Sequence, residues 1–167
     1  ETGGVNAMIV DASALPEQVL DDVVVSAFQS AGQRCSACRV VFVQDDVADG
    51  MIAMIAGAMD ALDVGDPARL ETDVGPVIDA EAQKALDDHL AWLGKHAKEI
   101  RRLDDPKGTG TFVAPAFYEI RQLSDLNREN FGPILHAIRF PSGGLPQVVE
   151  AINATGYGLT LGLQSRI

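Results

Sequence analysis

Short apolar runs alternate along this chain with longer stretches in which apolar residues recur at helical spacing. The runs that predict strands are residues 5–10 (VNAMIV), 39–44 (RVVFVQ), 99–103, 134–140 and 159–164. The stretches that predict helices are residues 17–31, 47–62, 80–98 and 145–154. Residues 111–120 contain a proline and predict either an edge strand or a broken strand. Strands that alternate with helices indicate an α/β domain with a largely parallel sheet flanked by helices.

The chain predicts a single domain. It contains no linker, internal repeat or low-complexity segment, and 167 residues are enough for one sizeable core. The first residue is Glu1 rather than methionine, and the chain stops at Ile167 without a turn or a cap. We therefore expect both ends to be cut from a longer protein.

The charge of the chain argues against several classes of partner. The formal net charge is −11, and the 24 acidic residues are spread along the sequence. Such a surface repels phosphates, so no nucleic-acid partner is expected for this segment. No apolar run reaches the roughly 18 residues of a membrane helix, so no membrane insertion is expected. Two cysteines are too few for a disulfide framework, which favours a cytoplasmic location.

Both cysteines lie in the segment GQRCSACRV, and three interpretations of the pair are open. A thioredoxin-like redox pair follows a strand and begins a helix, whereas here a predicted helix precedes Cys35 and a predicted strand follows Cys38. A zinc site needs four ligands, and the histidines supply no second pair at the usual spacing, so no metal is expected. In the third interpretation Cys35, next to Arg34, is a nucleophile, and Cys38 is a small core residue.

Five segments of the chain are similar, in order and spacing, to signature segments of the aldehyde dehydrogenase superfamily. They are ETGGVN at 1–6, GQRC at 32–35, DVGPV at 73–77, ENFGP at 129–133, and Asn153 with YGLT at 157–160. The resemblance covers the whole chain, and five ordered segments are far more specific than any one of them. It implies the three-layer α/β catalytic (thiol) domain of that family.

The resemblance also implies catalytic roles. Oxidation of an aldehyde needs a nucleophile that adds to the carbonyl carbon and later leaves from a thioester, and a thiolate suits both steps. The family's nucleophile motif assigns this role to Cys35, and its general-base motif assigns activation of water to Glu1. Ser36 follows the nucleophile and is either a lining residue of the substrate pocket or a plain polar residue of a turn.

The cofactor implied by the resemblance is NAD. Glu129 would hydrogen-bond the nicotinamide ribose, and Phe131 would pack near the nicotinamide. Gly3 would let the backbone approach the ring closely. Without the motif around it, Glu129 would be read as a solvated carboxylate of a loop.

Longer segments narrow the resemblance to the L-glutamate γ-semialdehyde (1-pyrroline-5-carboxylate) dehydrogenase half of bifunctional proline utilization enzymes. They are SAGQRCSACRVVFVQDDVAD, DVGPVIDAEAQ, GTFVAPAFYEI and INATGYGLTLGLQSR. This implies a parent protein of proline catabolism, with a flavin-dependent proline dehydrogenase domain on the same chain and FAD confined to that half. The parent would be cytoplasmic or peripheral at the inner face of the bacterial membrane.

Several parts of the family pattern are expected outside residues 1–167. They are the NAD-binding domain, the oxyanion asparagine, the oligomerisation arm and the C-terminal segment with the loop that grips the substrate carboxylate. We therefore expect a partial catalytic domain, truncated at both ends and nearly inactive alone, with an exposed sheet edge that favours homo-oligomers. Two other hypotheses stay open: another NAD(P)-dependent aldehyde dehydrogenase, for example one for succinate semialdehyde, or a non-catalytic module with inert thiols.

Overall fold

A computed structural model of the chain describes residues 3–106 and 110–167. Within those ranges six strands form one sheet, and four α-helices cover it. The elements are β1 (Ala7–Val10), α1 (Pro16–Phe28), β2 (Val40–Gln44), α2 (Asp45–Met59), α3 (Ala80–His96), β3 (Lys98–Arg102), β4 (Ala116–Glu119), β5 (Ile134–Phe140), α4 (Leu145–Ala154) and β6 (Leu161–Gln164). Short 3₁₀ turns span Gln29–Gly32 and Leu123–Asp125.

The strand order across the sheet is β3-β4-β5-β2-β1-β6. Strand β3 is antiparallel to β4, and the other pairs are parallel. The central strands β1, β2 and β5 are almost wholly buried, as expected for parallel strands covered on both faces. The predicted α/β class with a largely parallel sheet is therefore confirmed.

Strand β5 shows how the layers are arranged, because successive side chains of a strand point to opposite faces. Arg139 bonds Asp49 of α2 on one face. On the other face His136 contacts His89 of α3, and Phe140 lines a crevice with Val148 of α4. Helices α1 and α2 pack against each other on the first face. The three-layer arrangement is thus helices, sheet and helices.

The bounds of several elements differ from the predicted ones, and the structure decides between the two predictions for the segment with the proline. Helix α1 ends at Phe28 rather than Ala31, because Ser30 and Ala31 adopt left-handed backbone angles that a helix cannot contain. The segment with the proline is a broken strand: β4 begins directly after Pro115. It is not an edge strand, because it pairs with β3 and β5.

Across the described residues, none of the helices combines the length and the apolar character that a membrane crossing requires.

Candidate active site

Three loops meet at one edge of the sheet, where the neighbouring strands β1, β2 and β5 begin. They are residues 3–6 before β1, residues 32–39 before β2 and residues 126–133 before β5. Parallel strands place their amino ends at the same edge, so these loops are brought together by the register of the sheet. Every expected site residue that the structure describes lies in one of them.

Cys35 and Ser36 are the central residues of a tight turn. The Ala37 N–H donates to the Arg34 carbonyl over 3.1 Å and closes the turn. Both central side chains are exposed. Among the hydrogen bonds that join described residues, the N–H groups of Cys35 and Ser36 donate to no protein acceptor. The turn therefore presents a thiol together with two backbone donors.

The second cysteine is in a different environment. Cys38 is 4% exposed, and its S–H donates to the Val40 carbonyl over 3.4 Å. Burial raises the pKa of the Cys38 thiol to about 12, because the interior disfavours the thiolate. Cys38 is therefore a core residue, as the sequence predicts, and Cys35 is the accessible thiol.

Two buried polar side chains hydrogen-bond the carbonyls of the turn and its flanking residues. The Asn6 side-chain amide donates to the carbonyls of Cys35 and Ala37, over 2.7 and 3.0 Å. The Arg39 guanidinium donates to the carbonyls of Gly32 and Arg34, over 2.6 and 3.0 Å. The inward-facing carbonyls of the loop are thus satisfied by side chains rather than by a sheet or a helix.

Glu129 accepts hydrogen bonds on both carboxylate oxygens. Its Oε1 is 3.0 Å from Arg39 Nη2 and 3.3 Å from Arg39 Nε, and its Oε2 accepts the Gly4 N–H over 3.0 Å. The Glu129 side chain is 15% exposed and that of Arg39 is 2% exposed. Burial lowers the pKa of Arg39 from its ordinary value, and the bond to Glu129 opposes this shift, so the guanidinium stays charged.

Gly3 and Phe131 lie around this ion pair. A Cβ atom on Gly3 would collide with the Glu129 carboxylate, so a side chain at this position would displace that carboxylate from its present place. The Phe131 ring is 41% exposed, and the Arg39 guanidinium carbon lies 4.9 Å from its centroid. The ring is thus supported by a buried cation and open to a further planar group.

Gln33 fixes one more segment against the turn. Its Oε1 accepts the Ile78 N–H over 2.8 Å, and its Nε2 donates to the Pro76 carbonyl over 3.3 Å. Residues 73–77, which resemble a family segment, therefore border the nucleophile loop.

Glu1, the predicted general base, lies outside the described residues. Cys35, Ser36, Gly3, Glu129 and Phe131 all lie in the three loops. No sequence motif indicates Asn6 or Arg39 as a residue of this site. The available signal was their position, because each is a polar residue that borders a strand expected to be buried.

A metal ion and a dinucleotide make different demands on the described residues. No three His, Cys, Asp or Glu side chains are grouped as metal ligands in residues 3–106 and 110–167. A partly exposed carboxylate that still has acceptor capacity suits ribose hydroxyls, and the open Phe131 ring suits a planar base. Glu129 and Phe131 therefore have the chemistry that could hold a ribose and a planar base.

Comparison with known proteins matches the whole chain. The sequence model described as "Aldehyde dehydrogenase family" matches residues 1–166. The bifunctional protein PutA of Escherichia coli (strain K12) is 48% identical over 174 residues, which cover 100% of this chain and 13% of that protein. The 1-pyrroline-5-carboxylate dehydrogenase of Geobacillus kaustophilus is 33% identical over 99% of this chain and 32% of its own length.

A solved structure matches the fold as closely. The crystal structure of a mutant of Bradyrhizobium japonicum proline utilization A superposes with a TM-score of 0.97, at 56% identity, over 100% of this chain and 17% of that one. The chain thus spans 17% of the Bradyrhizobium japonicum protein and 13% of the Escherichia coli protein.

Proposed function

This chain belongs to the aldehyde dehydrogenase family, and from that premise we propose that its parent protein oxidises L-glutamate γ-semialdehyde to L-glutamate with NAD. The observation that carries the proposal is the exposed Cys35 thiol, in a turn that adjoins the ion pair of Glu129. Relatives named as PutA and 1-pyrroline-5-carboxylate dehydrogenase support this substrate.

In the proposed mechanism Cys35 is the nucleophile. Its thiolate adds to the aldehyde carbon and gives a tetrahedral hemithioacetal with an oxyanion. Since no acceptor in residues 3–106 and 110–167 takes the N–H groups of Cys35 and Ser36, we assign them as donors to that oxygen, as in an oxyanion hole. Once the carbon has lost its hydride, Cys35 carries a thioester.

NAD supplies the hydride acceptor when it is bound. We assign Glu129 to the nicotinamide ribose and Phe131 to the nicotinamide itself. We assign Gly3 to the close approach of the nicotinamide ring. This is supported by the lack of room for a side chain beside Glu129, where a Cβ atom on Gly3 would collide with the carboxylate. Ser36 would line the substrate pocket from the exposed side of the turn.

Hydrolysis of the thioester needs an activated water, and we assign the general base to Glu1 on the family resemblance alone. The parent's other features are proposals of the same kind. They are a proline dehydrogenase domain with FAD on the same chain, a role in proline catabolism, a homo-oligomeric state and a cytoplasmic location, peripheral at the bacterial membrane as the alternative.

The test uses the full-length protein that carries this chain. NADH formation from NAD and L-glutamate γ-semialdehyde is followed at 340 nm for the wild type, Cys35→Ala and Cys38→Ala. We expect Cys35→Ala to lower kcat/KM at least about a thousandfold, as loss of a nucleophile does. Cys38→Ala is the matched control, because it removes a buried thiol from the same segment and should keep most of the turnover.

The outcomes separate the remaining hypotheses. Turnover that survives Cys35→Ala would refute the nucleophile assignment. A kcat/KM that is higher for succinate semialdehyde than for glutamate γ-semialdehyde would keep the chemistry and replace the substrate. No turnover of either aldehyde by the wild type would favour the non-catalytic module.

A further inference from the structure

The Arg39 guanidinium joins two loops that have separate tasks in the proposed chemistry. It donates to the carbonyls of Gly32 and Arg34 in the nucleophile loop. It also donates to Glu129 Oε1 and to the Gly132 carbonyl, 3.3 Å away, in the loop before β5. Within the described residues, no other side chain hydrogen-bonds both loops.

The geometry of this contact requires arginine. Each of its three nitrogens donates to a protein acceptor, and the planar guanidinium fixes their directions together. A lysine ammonium has the charge but only three donors at one point, so it could not hold two loops in a fixed relation. Since Arg39 is 2% exposed, it does not reach a substrate.

The contact leaves Glu129 able to bind a ligand. Arg39 occupies Oε1 and the Gly4 N–H occupies Oε2, which fixes the plane of the carboxylate. A carboxylate has about four acceptor sites, so sites remain for hydroxyl groups. The same guanidinium lies against the Phe131 ring.

We propose that Arg39 is a positioning residue that sets the Cys35 turn and the Glu129 carboxylate in one fixed relation, so that nucleophile and cofactor site are aligned by a single buried cation. This inference rests on the proposed function and adds to it a residue that touches neither substrate nor cofactor. A merely structural ion pair would stabilise the fold but leave both sites of the folded protein unchanged.

The experiment measures the two sites separately in the full-length protein. NAD affinity is measured by calorimetric titration. The nucleophile turn is measured without NAD, as the rate of p-nitrophenolate release when Cys35 is acylated by p-nitrophenyl acetate. That acylation passes through an oxyanion, so it depends on the position of the N–H donors of the turn.

Three variants form a crossed design. We expect Arg39→Lys to weaken NAD binding about tenfold and to slow acylation about tenfold. Asn6→Ala should slow acylation and keep most of the NAD affinity, because the side-chain hydrogen bonds of Asn6 to described residues go to the turn. Glu129→Gln should weaken NAD binding and slow acylation by less than Arg39→Lys does, because Arg39 itself and its bonds to the carbonyls of Gly32 and Arg34 remain.

Wild-type NAD affinity and acylation in a folded Arg39→Lys protein would overturn the inference, whatever its melting temperature. An effect on one site alone would overturn it as well. If the nucleophile assignment is wrong instead, acylation by p-nitrophenyl acetate will survive Cys35→Ala. This result is distinct from those that overturn the role of Arg39.

A second comparison applies if Arg39→Lys does not fold. The double variant Arg39→Gln/Glu129→Gln leaves no buried charge without a partner, and it is compared with Glu129→Gln alone. We expect acylation to be about tenfold slower in the double variant, because the carbonyls of Gly32 and Arg34 lose the guanidinium that donates to both. Equal acylation rates in the two would refute the positioning role.

Discussion

Cys35 and Cys38 are three residues apart, yet their environments are opposite. Cys35 lies at the tip of an exposed turn, whereas Cys38 lies in the core beside β2. The Cys38 pKa of about 12 leaves on the order of 10⁻⁴ of that thiol as thiolate at pH 8. The position of each sulfur relative to the sheet therefore decides its reactivity.

We expect iodoacetamide at pH 8 to modify Cys35 and to leave Cys38 unmodified in the folded protein. The thiolate is the reactive form, and only Cys35 is accessible. Peptide mapping by mass spectrometry distinguishes the two sites. The control is the same reaction in denaturing urea, where both cysteines should react. Equal labelling of the two in the folded protein would contradict this reading of the turn.

Among the elements, the sequence predicts the interiors better than the ends. The helix and strand at residues 145–154 and 134–140 have the predicted bounds, because their apolar pattern is strong. The end of α1 is mispredicted, because hydrophobic spacing contains no information on the sign of φ. Ser30, Ala31 and Gly32 all have positive φ there, and this reversal carries the chain into the nucleophile loop.

Two glycine substitutions compare the left-handed turn after α1 with a position inside a regular helix. Gly32 has φ +64°, and a Cβ atom there would collide with the Gly132 carbonyl, so we expect Gly32→Ala to lower the free energy of unfolding by about 2 kcal/mol or more. Gly57 lies within α2 with nothing within 4 Å of its Cβ direction. Gly57→Ala should therefore raise the free energy of unfolding by about 0.5–1 kcal/mol.

Urea denaturation of the chain, followed by the fluorescence of Trp92, measures both changes. Trp92 is the one tryptophan of the sequence and lies in α3, which contains neither substitution. Gly32→Ala as stable as the wild type would show that the loops before β2 and β5 can separate without cost.

At the scale of the molecule, the site is assembled by the strand order. Motifs in the sequence indicate Cys35, Glu129 and Phe131, because each occurs in a recognisable local segment. Asn6 bonds the turn across 29 and 31 residues, and Arg39 bonds the loop before β5 across 90 and 93 residues. No local pattern contains these long-range contacts. Only the adjacency of β5, β2 and β1 brings these loops together.

The stability of this arrangement depends on pH through the contact between the half-buried His89 and the buried His136. His136 Nδ1 lies 2.7 Å from the Arg39 carbonyl, which can only accept, so Nδ1 carries the proton. Its Nε2 must then accept from His89 Nε2, 2.9 Å away. Burial lowers the pKa of His136 to about 3 and that of His89 to about 4, where Arg128 adds repulsion.

Both shifts make the fold less stable in acid. An unfolded histidine binds a proton below a pH of about 6.5, whereas the folded pair stays neutral until about pH 4, so the unfolded chain binds more protons in this window. Each histidine therefore lowers the free energy of unfolding by up to about 1.4 kcal/mol per pH unit as the pH falls from 6.5 towards 4.

His89→Gln tests this linkage, because glutamine keeps an N–H donor for His136 and does not titrate. Urea denaturation at pH 7.5, 6, 5 and 4.5 should give a pH dependence that is shallower than the wild type by about 1.4 kcal/mol per unit below pH 6. At pH 7.5 both histidines are neutral in either state, so the variants should differ there by packing alone. Parallel curves for the two proteins would show that His89 takes up its proton in the folded state, and that the pair beneath Arg39 is not held neutral by burial.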